Sequence, residues 1–241
     1  MAKRLIMDNL IRYIKFPFAF DVEKLHSDVE KILNKNWVNH YNSNDYSGEW
    51  NSIALVSQGG KSENITAFNN GTEKVTYTEV MDSCPYFEEI IDSFKFEKTT
   101  VRLLRLAAGA IIKPHTDNEL GYEDGCFRIH IPIITNTKVE FILDNQRLLM
   151  NEGECWYINA NFTHSVANKG KEDRIHLVID GIRNEWTDAL FFKEAKENQF
   201  IKPNPELSRT REEKLLMIEQ LKLMNTQTAN ELIAKISNEL A

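Results

Sequence analysis

Arg174-Ile175-His176-Leu177-Val178-Ile179-Asp180 and Arg128-Ile129-His130-Ile131-Pro132-Ile133 are the stretches that decide the fold. In an extended chain successive side chains point to opposite faces. Ile175, Leu177 and Ile179 therefore share one face, and Arg174, His176 and Asp180 lie on the other with Val178. Ile129, Ile131 and Ile133 oppose Arg128 and His130 in the same way. Such alternation predicts strands. The ordinary account is a solvated sheet, with isoleucines inward and charges in water. Against it, the polar faces carry arginine and histidine but no lysine or glutamate, and four of the six histidines fall between residues 115 and 176. The other account is a barrel with a polar interior, its apolar face turned toward covering helices.

Outward from these strands, residues 99 to 180 read as short extended segments between turn signals: 99–107, 110–114, 126–134, 138–143, 146–150, 154–159, 162–168 and 173–180. Short strands without long helices between them predict an antiparallel sandwich or barrel. This spacing suits a double-stranded β-helix, the jelly-roll of cupins. The expected fold is mainly β with flanking helices, that core carrying a C-terminal helical extension.

Val22, Leu25, Val29, Ile32 and Leu33 make one helical stripe, and 85–94 resembles a short helix with Pro85 in its first turn. Trp50 to Val56 reads as a strand ending at Gly59-Gly60, and 64–70 as loop. Pro203 and Pro205 mark a linker. Beyond it, Thr210-Arg211-Glu212-Glu213 and Thr228-Ala229-Asn230-Glu231 have the form of capping boxes opening two helices. The expected division is 1–184 for the β-helix domain with its N-terminal helices and 185–241 for the extension.

The 241 residues, 42% hydrophobic and 27% charged, are ordinary for a globular protein. A net charge of −7 argues against nucleic acid or an anionic membrane as partner, since both need a basic surface. No stretch approaches the roughly 18–20 apolar residues of a membrane span. Asp8 and Arg12 interrupt what would be a signal-peptide core, so a cytoplasmic location is expected. Cys84, Cys126 and Cys155 are odd in number and widely spaced, which predicts three reduced thiols, two of them core fillers inside strands.

The chemistry lies in His115-Thr116-Asp117, His164 and Arg174. Residues at i and i+2 on an extended segment point to one side. One more histidine from a distant strand completes a 2-His-1-carboxylate face, which leaves positions of an octahedral Fe(II) open. Each residue alone is unremarkable: a loop histidine, a turn aspartate, a hydrogen-bonded histidine. Arg174 adds a planar, permanently charged fork suited to a carboxylate. A three-residue loop Asn168-Lys169-Gly170, with Gly170 left-handed, would pair Ala167 with Lys171 and set His164 opposite Arg174.

Residues 101–180 resemble the aspartyl/asparaginyl β-hydroxylase family of 2-oxoglutarate/Fe(II) dioxygenases, which includes bacterial cis-proline hydroxylases. The resemblance rests on Val101-Arg102-Leu103-Leu104-Arg105-Leu106, Pro114-His115-Thr116-Asp117, the two opening stretches, residues 153–159 and His164-Ser165-Val166-Ala167-Asn168. Cys84-Pro85-Tyr86-Phe87 and Tyr46-Ser47-Gly48-Glu49-Trp50 extend it weakly. It implies His115, Asp117 and His164 as iron ligands, Arg174 as the partner of the distal 2-oxoglutarate carboxylate, and Arg128 and His130 as pocket lining. The implied reaction uses O2 to hydroxylate an unactivated C–H of an amino acid or amino-acid residue, releasing succinate and CO2.

Arg128 and Arg102 are then surplus cations, each needing an anion: an internal carboxylate, or a carboxylate of the substrate. Trp156 and Tyr157 read as core. The C-terminal helices can close over the site or make a homodimer. Two other classes stay open: a cupin-type metal protein without oxygenase activity, and a degenerate binding domain holding no metal.

Overall fold

A computed structural model describes residues 9–67, 72–117, 119–202, 211–224 and 226–240. Internal contacts separate two compact units, Ile11–Phe200 and a second made of Met1–Leu10 with Ile201–Ala241. The opening segment before Asn9, residues 68–70, and Pro203, Pro205 and Thr210, for which the sequence raises the expectations above, lie outside the described residues.

In the first unit the strands are β1 (Tyr13–Ala19), β2 (Val38–Asn39), β3 (Tyr46–Ser47), β4 (Trp50–Gln58), β5 (Val75–Tyr77), β6 (Lys98–Leu106), β7 (Ile111–His115), β8 (Cys126–Ile134), β9 (Val139–Leu143), β10 (Gln146–Leu148), β11 (Glu154–Ile158), β12 (His164–Asn168) and β13 (Arg174–Ile182). Its helices are α1 (Val22–Ile32), α2 (Pro85–Ser93) and α3 (Glu185–Glu194). The strands form an eight-stranded sheet, ordered β1-β11-β8-β13-β6-β4-β2 with β5 beside β4, and a five-stranded sheet ordered β10-β9-β12-β7-β3. The fold is the expected jelly-roll core. All the strands expected between 99 and 180 form, their ends within a residue or two.

The alternation explains the layers. Ile129, Ile131 and Ile133 of β8, with Ile175, Leu177 and Ile179 of β13, join Leu25, Val29 and Ile32 of α1 and Phe87, Ile90 and Ile91 of α2 in one apolar core. On the opposite face of the large sheet Arg102, Arg128, His130, Arg174, His176 and Asp180 are buried as well. The sheet is covered on both sides, and its polar face looks into the sandwich. Asp28, buried on α1, accepts the Tyr86 and Phe87 N–H groups at the start of α2 and ties the two helices together. The unit runs on to Phe200, so α3, expected with the extension from residue 185, packs its buried Phe191 into this core.

One expectation is overturned. β12 and β13 are not a hairpin: β12 pairs with β7 and β9 in the small sheet, β13 with β6 and β8 in the large one. Gly170 is not among the residues with positive φ. The cause is Asn168, whose buried amide donates to the Leu106, Ala107 and Glu172 carbonyls and accepts the Gly170 N–H. The chain there crosses from one sheet to the other. Consequently His164 faces His115, not Arg174.

β1 carries a second lesson. Pro17 and a register shift between Phe16 and Ala19 hide its alternation, and both are tolerated because β1 lies at the sheet edge. The three cysteines are free; Cys84 and Cys155 are buried, but Cys84 precedes α2 instead of filling a strand.

In the second unit, α4 (Arg211–Met224) and α5 (Gln227–Leu240) pack on each other. The cap of α5 is Thr226, whose hydroxyl accepts the Ala229 N–H, so the helix begins earlier than the box at Thr228 suggests. Among the described residues no helix is long and apolar enough to cross a membrane.

Candidate active site

β7 and β12 bring the two histidines together. His164 pairs with His115 across the antiparallel ladder, and the ring centroids lie 4.3 Å apart. Gly48 permits the close approach of the β3–β4 turn here: its φ is 82°, and a Cβ would meet the Ala110 side chain before β7. Beyond the end of β7, the Asp117 N–H donates to the Ala160 carbonyl, and this returns the carboxylate to the histidines. One ligand atom from each of His115, Asp117 and His164 lies within 4.8 Å of the others.

The histidines are oriented for ligation. His115 Nδ1 lies 2.8 Å from the Lys113 carbonyl and His164 Nδ1 3.0 Å from the Phe162 carbonyl. A carbonyl can only accept, so each Nδ1 carries the proton and each Nε2 presents a lone pair. Burial, followed by the neighbouring His115, pushes His164 down to about 4, which keeps it neutral. Burial raises the Asp117 carboxyl, but Arg128 and the two histidines outweigh it and hold the group ionised. Two neutral imidazoles and one carboxylate fit a divalent metal with open positions.

The triad borders a cavity of about 330 Å³ that also meets Arg102, Arg128, His130 and Arg174. The arginines differ sharply. Arg128 is locked between carboxylates, its Nε 2.6 Å from Asp180 Oδ1 and its Nη1 2.6 Å from Asp117 Oδ2. Burial lowers its pKa, yet Asp180 and Asp117 raise it beyond the usual arginine value. Arg102 shares Asp180 and donates to the Ile65 carbonyl 2.8 Å away. Each surplus cation thus has an internal carboxylate.

Arg174 has none among the described residues. Its Nη2 lies 2.9 Å from His176 Nδ1, and its Nε has no partner. Burial pulls its pKa down to about 9, so it remains charged at neutral pH. His130 also leaves Nδ1 without a partner, and burial beside Arg128 and Arg174 holds it neutral. Trp156 and Tyr157 are buried, as expected of core residues.

Sequence reasoning missed Asp180 as an organiser and the wall from the N-terminal part. His40 stacks on Trp50 at 3.6 Å and 9°, and both line the cavity. Burial and Arg102 push His40 down to about 4. The only hint was the weak resemblance at residues 46–50; nothing around His40 has a readable period.

The sequence pattern of the aspartyl/asparaginyl β-hydroxylases matches residues 19–184. L-proline cis-4-hydroxylase of Rhizobium meliloti (strain 1021) is 27% identical over 164 residues, which cover 67% of this chain and 57% of that protein. L-proline cis-3-hydroxylase 1 of Streptomyces sp is also 27% identical over 164 residues, covering 66% and 56%. The chain thus spans little more than half the length of these relatives. Among solved structures, an oxidoreductase of the 2OG-Fe(II) oxygenase family from Burkholderia pseudomallei shares the fold, with a TM-score of 0.51 and 12% identity over 76% of this chain and 90% of that one.

Proposed function

This chain belongs to the aspartyl/asparaginyl β-hydroxylase family, and from that premise we propose that it is an Fe(II)/2-oxoglutarate-dependent dioxygenase. Its substrate is an amino acid or amino-acid residue, hydroxylated at an unactivated C–H with O2, and its co-products are succinate and CO2. The observation that carries the reading is the pairing of two features in one cavity: a 2-His-1-carboxylate cluster, and a buried guanidinium with no carboxylate beside it among the described residues.

In this reading His115, Asp117 and His164 hold iron, and Arg174 takes the distal carboxylate of 2-oxoglutarate. The bound iron and co-substrate supply the oxidising chemistry. The chain's own residues supply order and charge. The carbonyls of Lys113 and Phe162 fix the imidazole tautomers. Arg128 holds Asp117 Oδ2 and leaves Oδ1 toward His115 Nε2, 3.8 Å away, for the metal. His130 offers a buried ring nitrogen to the cavity, and the His40–Trp50 stack forms a wall against which a small substrate can rest. Because Arg128 and Arg102 already share carboxylates, a substrate carboxylate would have to compete for them. A cupin without a co-substrate leaves Arg174 with no anion. The domain carrying the activity is the β-helix unit, with the C-terminal helices as an extension. Exposed Leu216, Leu223 and Met224 on α4 support reading that extension as a homodimer contact, which sedimentation at two concentrations tests.

Anaerobic titration of the iron-loaded protein with 2-oxoglutarate tests the assignment. A weak visible charge-transfer band should grow with co-substrate and fade in Arg174→Ala. Iron bound without any band removes the dioxygenase reading.

A further inference from the structure

A second carboxylate lines the cavity and takes no part in the metal cluster. Among the described residues of the lining, the carboxylates are Asp117 and Asp45. Asp117 belongs to the triad and is held by Arg128, while Asp180, on the sheet beneath, is shared by Arg128 and Arg102. Asp45 has no cation among the described residues. Its side chain accepts from the Asn42 amide at Oδ2, and Oδ1 is left open. Lys113 sends its ammonium to the Asn44 carbonyl, 2.8 Å away, instead of to Asp45.

The position of this carboxylate is specific. The turn Ser43–Asp45 packs on β7, the strand that ends in His115. It stands beside a stack of rings on the cavity wall, Tyr41 on His40 at 4.4 Å and His40 on Trp50 at 3.6 Å. Tyr41 is 71% exposed and Trp50 6%, so the stack runs inward from solvent, with Tyr41 and the turn that holds Asp45 at its outer end. The guanidinium groups of Arg102, Arg128 and Arg174 lie in the buried part of the lining. A cationic group there is repelled by them and by a bound divalent metal. Burial keeps His40 neutral, so the wall itself adds no competing cation. We propose that Asp45 binds the protonated amine of the substrate, its hydrocarbon part lying along the Tyr41–His40–Trp50 stack. The substrate is then a free amino acid, a conclusion that rests on the proposed function and narrows it. An internal residue of a peptide or protein offers a neutral amide nitrogen at that place and leaves the carboxylate without a counter-charge.

Binding can be read without turnover on protein loaded with redox-inert Zn(II) and 2-oxoglutarate, dialysed against each of the common proteinogenic L-amino acids. The one that binds most tightly is then compared with its α-hydroxy acid, or with the ether-ring analogue if it is an imino acid. Either analogue replaces the cationic nitrogen by a neutral oxygen and keeps the remaining shape. The amino acid should bind about tenfold or more tightly than the analogue, because a site built around a charged donor rejects a ligand that lacks it. Asp45→Asn is near-isosteric and lies on a partly exposed turn, so folding should survive. It should weaken the amino acid by about tenfold and level the preference, whereas loss of a merely structural residue would weaken both ligands alike. No amino acid bound, equal binding of the analogue, or a preference that persists in Asp45→Asn each overturns the proposal. The dioxygenase reading fails by a different result, iron bound without a charge-transfer band on adding 2-oxoglutarate, and Asp45-dependent binding of an amino acid would survive it.

Discussion

Arg174 and Arg128 lie in the same cavity, yet their substitutions should behave in opposite ways. Arg174 is a buried cation without a carboxylate partner among the described residues, so removing it relieves a desolvation cost. Arg174→Gln should leave the melting temperature unchanged or raised, while 2-oxoglutarate affinity falls about a hundredfold, or about 3 kcal/mol for a charge-assisted pair. Equilibrium dialysis beside thermal unfolding checks both halves. Arg128 instead bridges Asp117 and Asp180. Arg128→Gln should cost about 3 kcal/mol or more, because it leaves buried carboxylates short of a partner, and Co(II) affinity should change with it; a variant as stable as wild type would refute the bridge. The metal-ligand candidates and Arg174 were legible because their chemistry is written in residue type and spacing. Asp180 was not. Its role depends on standing opposite Arg128 in the β13–β8 ladder and reaching Arg102 on the next strand, and pairing between strands far apart in sequence leaves no local trace.

At the scale of elements, regular alternation made β6 to β13 readable, while irregularity hid β1, and side-chain chemistry defeated the β12–β13 register. A glycine near a strand end suggested a hairpin. Asn168, binding three carbonyls outside any ladder, is what redirects the chain. The hidden edge strand gives a pH prediction. β1 is fastened to β11 by Lys15 Nζ, 2.6 Å from Glu154 Oε1, while Glu154 also accepts from Asn151 and from the Trp156 indole. Burial alone would raise the Glu154 pKa, but these donors carry it from 4.5 down to about 2. A depressed carboxyl contributes stability that is fully present above its unfolded pKa and lost as pH falls through the folded value. Glu154→Gln should therefore flatten the decline of melting temperature between pH 4.5 and 2 and lower stability at pH 7. A mutant with the wild-type acid slope would show that the lysine contact contributes nothing.

For the whole molecule, a net charge of −7 surrounds a sheet face that carries three buried guanidinium groups. Among the described residues, Arg102, Arg128 and Arg174 share that region with the buried Asp180 and with the part-buried Asp117 and Asp45 of the cavity lining. A divalent metal adds positive charge and a dianion balances it, so the cavity favours anions once the metal is in place. Every residue of this arrangement lies between Ile11 and Phe200. The amphipathic stripes made the two C-terminal helices legible, but not their purpose, because an apolar stripe does not name what it packs against. If the helices are an extension and not a wall of the site, a chain ending at Lys202 should fold, bind Co(II), and show the 2-oxoglutarate charge-transfer band in its iron form with wild-type affinity. The apolar cluster that stabilises this unit already includes Phe191 and Phe200. If the shortened chain folds with native circular dichroism and loses the band, the helices complete the co-substrate site, and the functional unit is the full chain.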